Sequence, residues 1–170
     1  GSNIARRLVG AKNTVHITGR NAERTAALAS ELSASYTIGD VTDDAHIVEA
    51  VAQAGPTLDG LVYAVGTINL KPLIRLTASD FLNDYTVNAL GAARSVQAAL
   101  PALKASAGTA SVLFFSTIAV AQGFASHASR IGCVEADPGS VTARRCVTLP
   151  PNDATDTPAS GANVLKYVLY

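Results

Sequence analysis

A mostly parallel β-sheet with helices on both faces is the fold class that this 170-residue sequence predicts. Three observations carry that expectation. Short β-rich runs alternate with helical stretches through the first two thirds of the chain, as in βαβ units. The runs at 58–66 and 109–117 are apolar without strict alternation, the pattern of strands buried between two helical layers. Apolar residues make up 48% of the chain, which is enough for a core in one domain of this size.

The elements follow in order. Residues 2–10 place Ile4, Ala5, Leu8 and Val9 at helical spacing, and TVHIT at 14–18 alternates as a strand closed by Gly19. A helix is expected over 21–33, with Asn21 as N-cap and Ala26, Leu28, Ala29 and Leu32 inward. A short strand at 35–40 precedes a helix at 43–55, started by Thr42 or Asp43 and stopped by Gly55-Pro56. After the 58–66 strand and a loop at 67–76, residues 77–105 give one long helical pattern, or two helices meeting near Asp84. Pro101 is expected to bend or restart it. Beyond about residue 130 the pattern weakens: no clean helical face precedes Pro138-Gly139, and PPND reads as a loop. Residues 1–129 therefore form the coherent core, and 130–170 a divergent segment of the same domain.

Charge excludes some partners. Thirteen basic residues balance thirteen acidic ones, so nothing points to nucleic acid or an anionic membrane surface. No apolar run approaches the roughly 20 residues of a spanning helix, and the first residues lack a signal-peptide layout. Cys133 and Cys146 read as free thiols without metal-site spacing, which makes the cytoplasm the expected compartment. The absence of methionine fits a chain whose true beginning lies upstream.

Residues suited to chemistry gather at the predicted strand ends, where doubly wound sheets bind ligands. They are Gly19-Arg20, Asp40-Val41, Gly66 and Ser116-Thr117, with Asn88 inside the long helical pattern. In this order, and with Gly1-Ser2-Asn3-Ile4-Ala5 at the start, they resemble the short-chain dehydrogenase/reductase family over 1–129. The resemblance implies a Rossmann-type sheet and hydride transfer between NAD(P) and a small carbonyl or alcohol substrate. It also implies homo-oligomers, which the incompleteness of this chain puts in question.

Gly1 is similar to the last glycine of the family's TGxxxGIG turn, which holds the cofactor pyrophosphate at a helix N-terminus. The opening strand and earlier glycines of that motif are absent from the sequence. Arg20 stands where an acidic residue would accept the ribose hydroxyls of NAD, so a 2′-phosphate and NADP(H) are favoured over NAD(H). Read alone, Arg20 is equally a solvated turn arginine. Asp40-Val41 is similar to the family's adenine-binding pair, and the plain alternative is that Asp40 or Thr42 caps the next helix. Gly66 closes a stretch similar to LVNNAG, with Tyr63-Ala64 in place of the two asparagines, so side-chain support there is expected to be lost. Gly66 is otherwise a strand-ending glycine.

Asn88 matches the catalytic asparagine of the family's VNxxG pattern, a polar side chain costly inside an apolar helix unless satisfied. Thr117 takes the catalytic serine's place with Ser116 before it; two hydroxyls ending a strand are the alternative. The match then fails. Thirteen positions after Thr117, where the family has its tyrosine, stands Arg130, and four further on, in place of the lysine, Val134. His127 and Ser129, in ASHAS, lie close by as candidate proton donors; a lone histidine with no catalytic role is the alternative. A deletion or a shifted reading frame within 130–149 would account for this.

Two classes of function follow: an oxidoreductase that lacks its proton donor and is inactive as this chain, or a non-catalytic nucleotide-binding or interaction module. A receiver domain is disfavoured because clustered acidic residues at the first strand's end are missing. The absent opening strand is central in the 3-2-1-4-5-6 order. The strands at 14–18 and 61–66 are therefore expected to pair directly or to leave open edges, with marginal stability or aggregation as the result.

Overall fold

The computed structural model describes residues 1–116, Ser126, 145–149 and 166–170. The elements are α1 (Ser2–Gly10), β1 (Thr14–Gly19), α2 (Ala22–Leu32), β2 (Ser35–Ile38), α3 (Asp44–Ala54) and β3 (Gly60–Tyr63). A 3-10 turn (Leu73–Arg75), α4 (Ala78–Tyr85), a π-helical segment (Thr86–Leu90), α5 (Gly91–Lys104), β4 (Ala110–Phe114), β5 (Arg145–Leu149) and β6 (Lys166–Leu169) complete the order.

Side-chain caps start α2, α3 and α4. The Asn21 oxygen accepts the Arg24 amide at 2.8 Å. Asp43, and not Thr42, caps α3 by accepting the Ala45 amide at 2.9 Å. Thr77 and Asp80 form a reciprocal capping box at α4. The long helical pattern divides just past Asp84, at the π-helical segment. Helix α5 continues through Pro101 to Lys104 without a break, although the proline cannot donate to the Gln97 carbonyl one turn back.

The six strands order as β2-β1-β6-β3-β4-β5, all pairs parallel except β4 with β5. This corrects the expectation that β1 and β3 would pair directly or stand open. β6, from the far end of the chain, lies between them, with Val15 opposite Tyr167 on one side and Leu61 opposite Val168 on the other. The ladder extends past β6: the Tyr170 amide donates to the Val62 carbonyl at 3.0 Å, and the Tyr170 carbonyl accepts the Ala64 amide at 3.2 Å. Val168 is 0% exposed, as a β-branched residue in a central strand should be. The stretch after 130 thus contributes two strands, β5 and β6, that its sequence pattern did not announce.

Each face of the sheet has its own core. Leu61, Tyr63, Val112 and Val168 pack with Ile47 and Val51 of α3 and Ala99 and Leu103 of α5. On the opposite face Val15, Ile17 and Val62 meet Ala5 of α1 and Ala29 of α2. No helix among the described residues is long and apolar enough to cross a membrane.

The β1–β2 pair carries a buried polar contact on the α3 face. His16, 3% exposed, has Nδ1 at 2.9 Å from Ser35 Oγ and Nε2 at 2.9 Å from Thr37 Oγ1. Burial, and secondarily the neighbouring His46, pushes its pKa down from 6.5 to about 4.

Two outcomes follow for stability. Val168→Asp should abolish cooperative unfolding by urea, because an unpaired carboxylate would stand in the sheet centre. Val168→Ala should cost about 2 kcal/mol in the same measurement; a cost near zero would show that β6 does not hold the sheet. Because His16 resists protonation when folded, its contribution is present above pH 6.5 and is lost as pH falls towards about 4. Urea midpoints between those limits should drop by the equivalent of up to about 3 kcal/mol, and His16→Gln should flatten the slope.

Candidate functional site

Five parallel strands bring their C-terminal ends to one rim of the sheet, the edge at which doubly wound folds bind ligands. That rim gathers Arg20 after β1, Asp40 and Val41 after β2, Tyr170 after β6, Gly66 after β3 and Ser116 after β4. Gly1, which opens α1, joins Arg20 and Tyr170 in lining a hollow of about 570 Å³, with Ser2, Thr18 and Arg24.

The side of the rim nearest β1 and β2 is charged and exposed. The Arg20 side chain is 68% exposed, and its Nη1 reaches Asp40 Oδ2 at only 3.4 Å, a loose pair. Asp40 is held more firmly by its own turn: Oδ1 accepts the Thr42 amide at 2.9 Å and the Thr42 hydroxyl at 2.8 Å. Partial burial works against ionisation of Asp40. The Thr42 bonds and the Arg20 charge outweigh it and hold the carboxyl below its ordinary range. Since Asp43 caps α3, the alternative in which Asp40 or Thr42 is that cap falls away. Val41 buries its side chain in the core, so any contact it makes with a ligand is through its backbone.

Two further cations line the hollow. Arg6 is neutralised by Glu31 through bonds of 2.8 and 2.9 Å. Arg24, on the first turn of α2, has no carboxylate partner among the described residues. Arg20 and Arg24 therefore leave the hollow with positive charge to offer.

The other side of the rim is built from buried and half-buried polar groups that satisfy one another. Gly66 lies exposed beyond β3, and the loop after it is clasped by α4 and the π-helical segment. Asn88 Oδ1 accepts the Thr67 amide at 2.8 Å while Asn88 Nδ2 donates to the Thr67 carbonyl at 3.1 Å. Asp84, 0% exposed, accepts from Thr67 Oγ1 at 2.8 Å and from Asn69 Nδ2 at 3.2 Å. Asn88 is thus placed at the rim, with its amide used to hold the loop backbone.

Side-chain support at Tyr63-Ala64, expected to be lost, is instead supplied by Tyr63. Its buried hydroxyl donates to the Val87 carbonyl. That carbonyl is freed because the Gly91 amide reaches back to Thr86 in the π-helical segment. Gly91 leaves the space that the phenol occupies; a β-carbon there would collide with the Tyr63 oxygen. Burial first, and then the charge of Asp40, raises the Tyr63 hydroxyl above its ordinary pKa.

Ser116 stands exposed past the end of β4. Thr117, His127, Arg130, Cys133 and Val134 lie outside the described residues. Sequence reasoning passed over Asp84, Thr67, Asn69 and Tyr170. A signal for Asp84 was present, in that Asp84 and Asn88 are two polar side chains four apart in a mostly apolar helical run.

Comparison with known proteins follows the same outline. A family model described as enoyl-(acyl carrier protein) reductase matches residues 1–134. A short-chain type dehydrogenase/reductase from Mycobacterium ulcerans superposes with a TM-score of 0.72 at 23% identity, over 78% of this chain and 52% of that one. An alcohol dehydrogenase from the archaeon Thermococcus sibiricus, complexed with 5-hydroxy-NADP, gives 0.68 at 21%, over 78% and 60%. An NADPH-bound carbonyl reductase from chicken fatty liver gives 0.66 at 22%, over 78% and 64%. This chain thus spans between about half and two thirds of each of those three, and likeness at such identities is one of fold. No curated protein matches it. With a family model matching residues 1–134 and its fold shared with proteins of that kind, the chain belongs to the short-chain dehydrogenase/reductase family.

Proposed function

We propose that the chain binds NADP(H) at the strand-end rim. On this reading it belongs to an oxidoreductase that interconverts small carbonyl compounds and alcohols, and by itself binds the cofactor without turnover. The observation that carries the reading is the pairing of a hollow edged by Arg20 and Arg24 with a carboxylate, Asp40, held ionised by Thr42. Two solved relatives in fold support it: one is bound to NADPH and the other to 5-hydroxy-NADP.

When bound, the nicotinamide would supply or accept the hydride. The chain's own residues would do the rest. Arg20, with Arg24 beside it, would pair with the 2′-phosphate as charge-assisted donors. Asp40 would accept from the adenine amino group, and the Val41 backbone would border the ring. The helix that Gly1 opens would face the pyrophosphate with its N-terminal amides. Gly66 would let backbone approach the ribose, and Asn88 would keep that loop in place. Ser116 and Thr117 would hold the substrate carbonyl by their hydroxyls, with His127 as the candidate proton donor. Arg130 and Val134 stand where the family's tyrosine and lysine are expected, and neither provides an acid of suitable pKa. This favours binding over turnover and keeps a non-catalytic, nucleotide-binding role as the second reading.

Fluorescence titration should detect NADPH binding, tighter than that of NADH by about tenfold. Arg20→Ala should weaken NADPH by about the same factor and leave NADH within roughly threefold. Equal loss for both cofactors would remove the 2′-phosphate role from Arg20. In a separate assay, NADPH consumption with simple aldehydes and ketones should stay at the background rate. Turnover sensitive to Ser116→Ala would overturn the non-catalytic reading.

A further inference from the structure

One imidazole outside the rim touches the roots of both strand ends that carry Arg20 and Asp40. His46, on α3, is 4% exposed, and its Nε2 lies 2.7 Å from Thr18 Oγ1 on β1. Its Nδ1 is buried with no hydrogen-bond partner among the described residues. The same ring edge rests against Gly39: a β-carbon at that glycine would collide with Nδ1 and Cγ of His46. The Gly39 amide in turn donates to the Gly19 carbonyl at 3.2 Å. Gly19 is followed by Arg20, and Gly39 by Asp40 and Val41. An orphaned polar atom in a native core is costly and calls for an explanation. Nothing in the packing of α3 demands a histidine here, since Ile47, Ala50 and Val51 supply its apolar contacts.

We propose that His46 is the positioning residue of the adenosine seat, a planar spacer that sets Gly39 against β1 and so fixes where Arg20 and Asp40 stand. This rests on the NADP(H) reading above and adds a residue to it. A flat ring lets the Gly39 backbone sit close, and its Nε2 bond to Thr18 keeps the ring from turning. With the proton on Nε2, donated to Thr18, the unpartnered Nδ1 is a bare lone pair, which costs less than a bare N–H and explains why the orphan is tolerated. The role is indirect: His46 acts through Gly39 and Thr18 and needs no contact with the nucleotide.

The test is a double-mutant cycle on the full chain, read by calorimetric titration with adenosine 2′,5′-bisphosphate, which carries the adenosine end alone. His46→Ala should weaken binding by about tenfold, and His46→Gln, whose amide can still donate to Thr18, should recover it to within roughly threefold. Gly39→Ala should cost about tenfold in the native background and little in the His46→Ala background, because the ring it strikes is gone. Amide shifts of Gly39 and Arg20 in nitrogen-15 spectra, without ligand, should move in His46→Ala and return in His46→Gln. If His46→Ala fails to melt cooperatively, His46→Leu takes its place, filling the volume without the Thr18 bond. Unchanged affinity in a folded His46→Ala or His46→Leu chain, or equal cost of Gly39→Ala in both backgrounds, would overturn the proposal alone. No binding by the native chain would overturn the NADP(H) reading and this proposal together.

Discussion

The parallel ladder that β6 makes with β1 on one side and β3 on the other is the constraint on which the rest of the structure depends. Without it, β1 and β2 would form one ribbon and β3, β4 and β5 another, with the backbone groups between them unpaired. With it, each inner edge is satisfied and the two ribbons share one twist. The segment just beyond β6 extends the effect. Tyr170 is buried, packs tilted against Tyr63 with ring centroids 6.1 Å apart, and donates its hydroxyl to the Ile47 carbonyl at 3.3 Å. Burial, against a bond with Ser95, pushes that hydroxyl up to about 12. One five-residue stretch therefore ties β3, α3 and both halves of the rim together.

Those halves rest on different physics. Around Arg20, Arg24 and Asp40 the groups are charged and partly solvated, so their attraction for an anion is screened by salt and their geometry depends on what lies beneath. Beneath them are Gly19, Gly39 and the imidazole of His46. Around Gly66 the loop is held by buried Asp84, which accepts from several donors, and by half-buried Asn88, which pairs reciprocally with the Thr67 backbone. A satisfied polar network of that kind is rigid and specifies one loop conformation. The π-helical segment belongs to the same device: by releasing the Val87 carbonyl to Tyr63, it joins the helix to the end of β3.

Much of the architecture was legible in the sequence because its signals are local. Helices α1 to α3 announce themselves by apolar spacing and by Asn21 and Asp43 at their starts, and strands β1 to β4 by apolar runs between turns. The residues at the strand ends were legible for a related reason, since in a parallel α/β sheet the position after a strand is the position at the rim. The partners of those residues were not legible. Asp40 could equally have capped a helix, and only the turn to Thr42 and the cap at Asp43 separate the two roles. Asp84 was passed over because burial with three donors is a property of the loop it faces, not of its own helix.

What the sequence determined by itself is the run of α-helical and strand segments through β4, without the 3-10 turn and the π-helical segment, their parallel α/β class and the residue types at the rim. Those depend on periodicity and on residue type at neighbouring positions. The tertiary structure decided that KYVL, four residues with no distinguishing pattern, becomes the central strand. It also decided that the Tyr63 hydroxyl ties β3 to the π-helical segment, where side-chain support was expected to be lost, and that His46 lies under both strand ends. Each of these joins residues far apart in the chain: His46 and Thr18 by 28 positions, and Tyr170 and Ile47 by 123. Such contacts form only when packing brings distant segments together, and no local pattern encodes them.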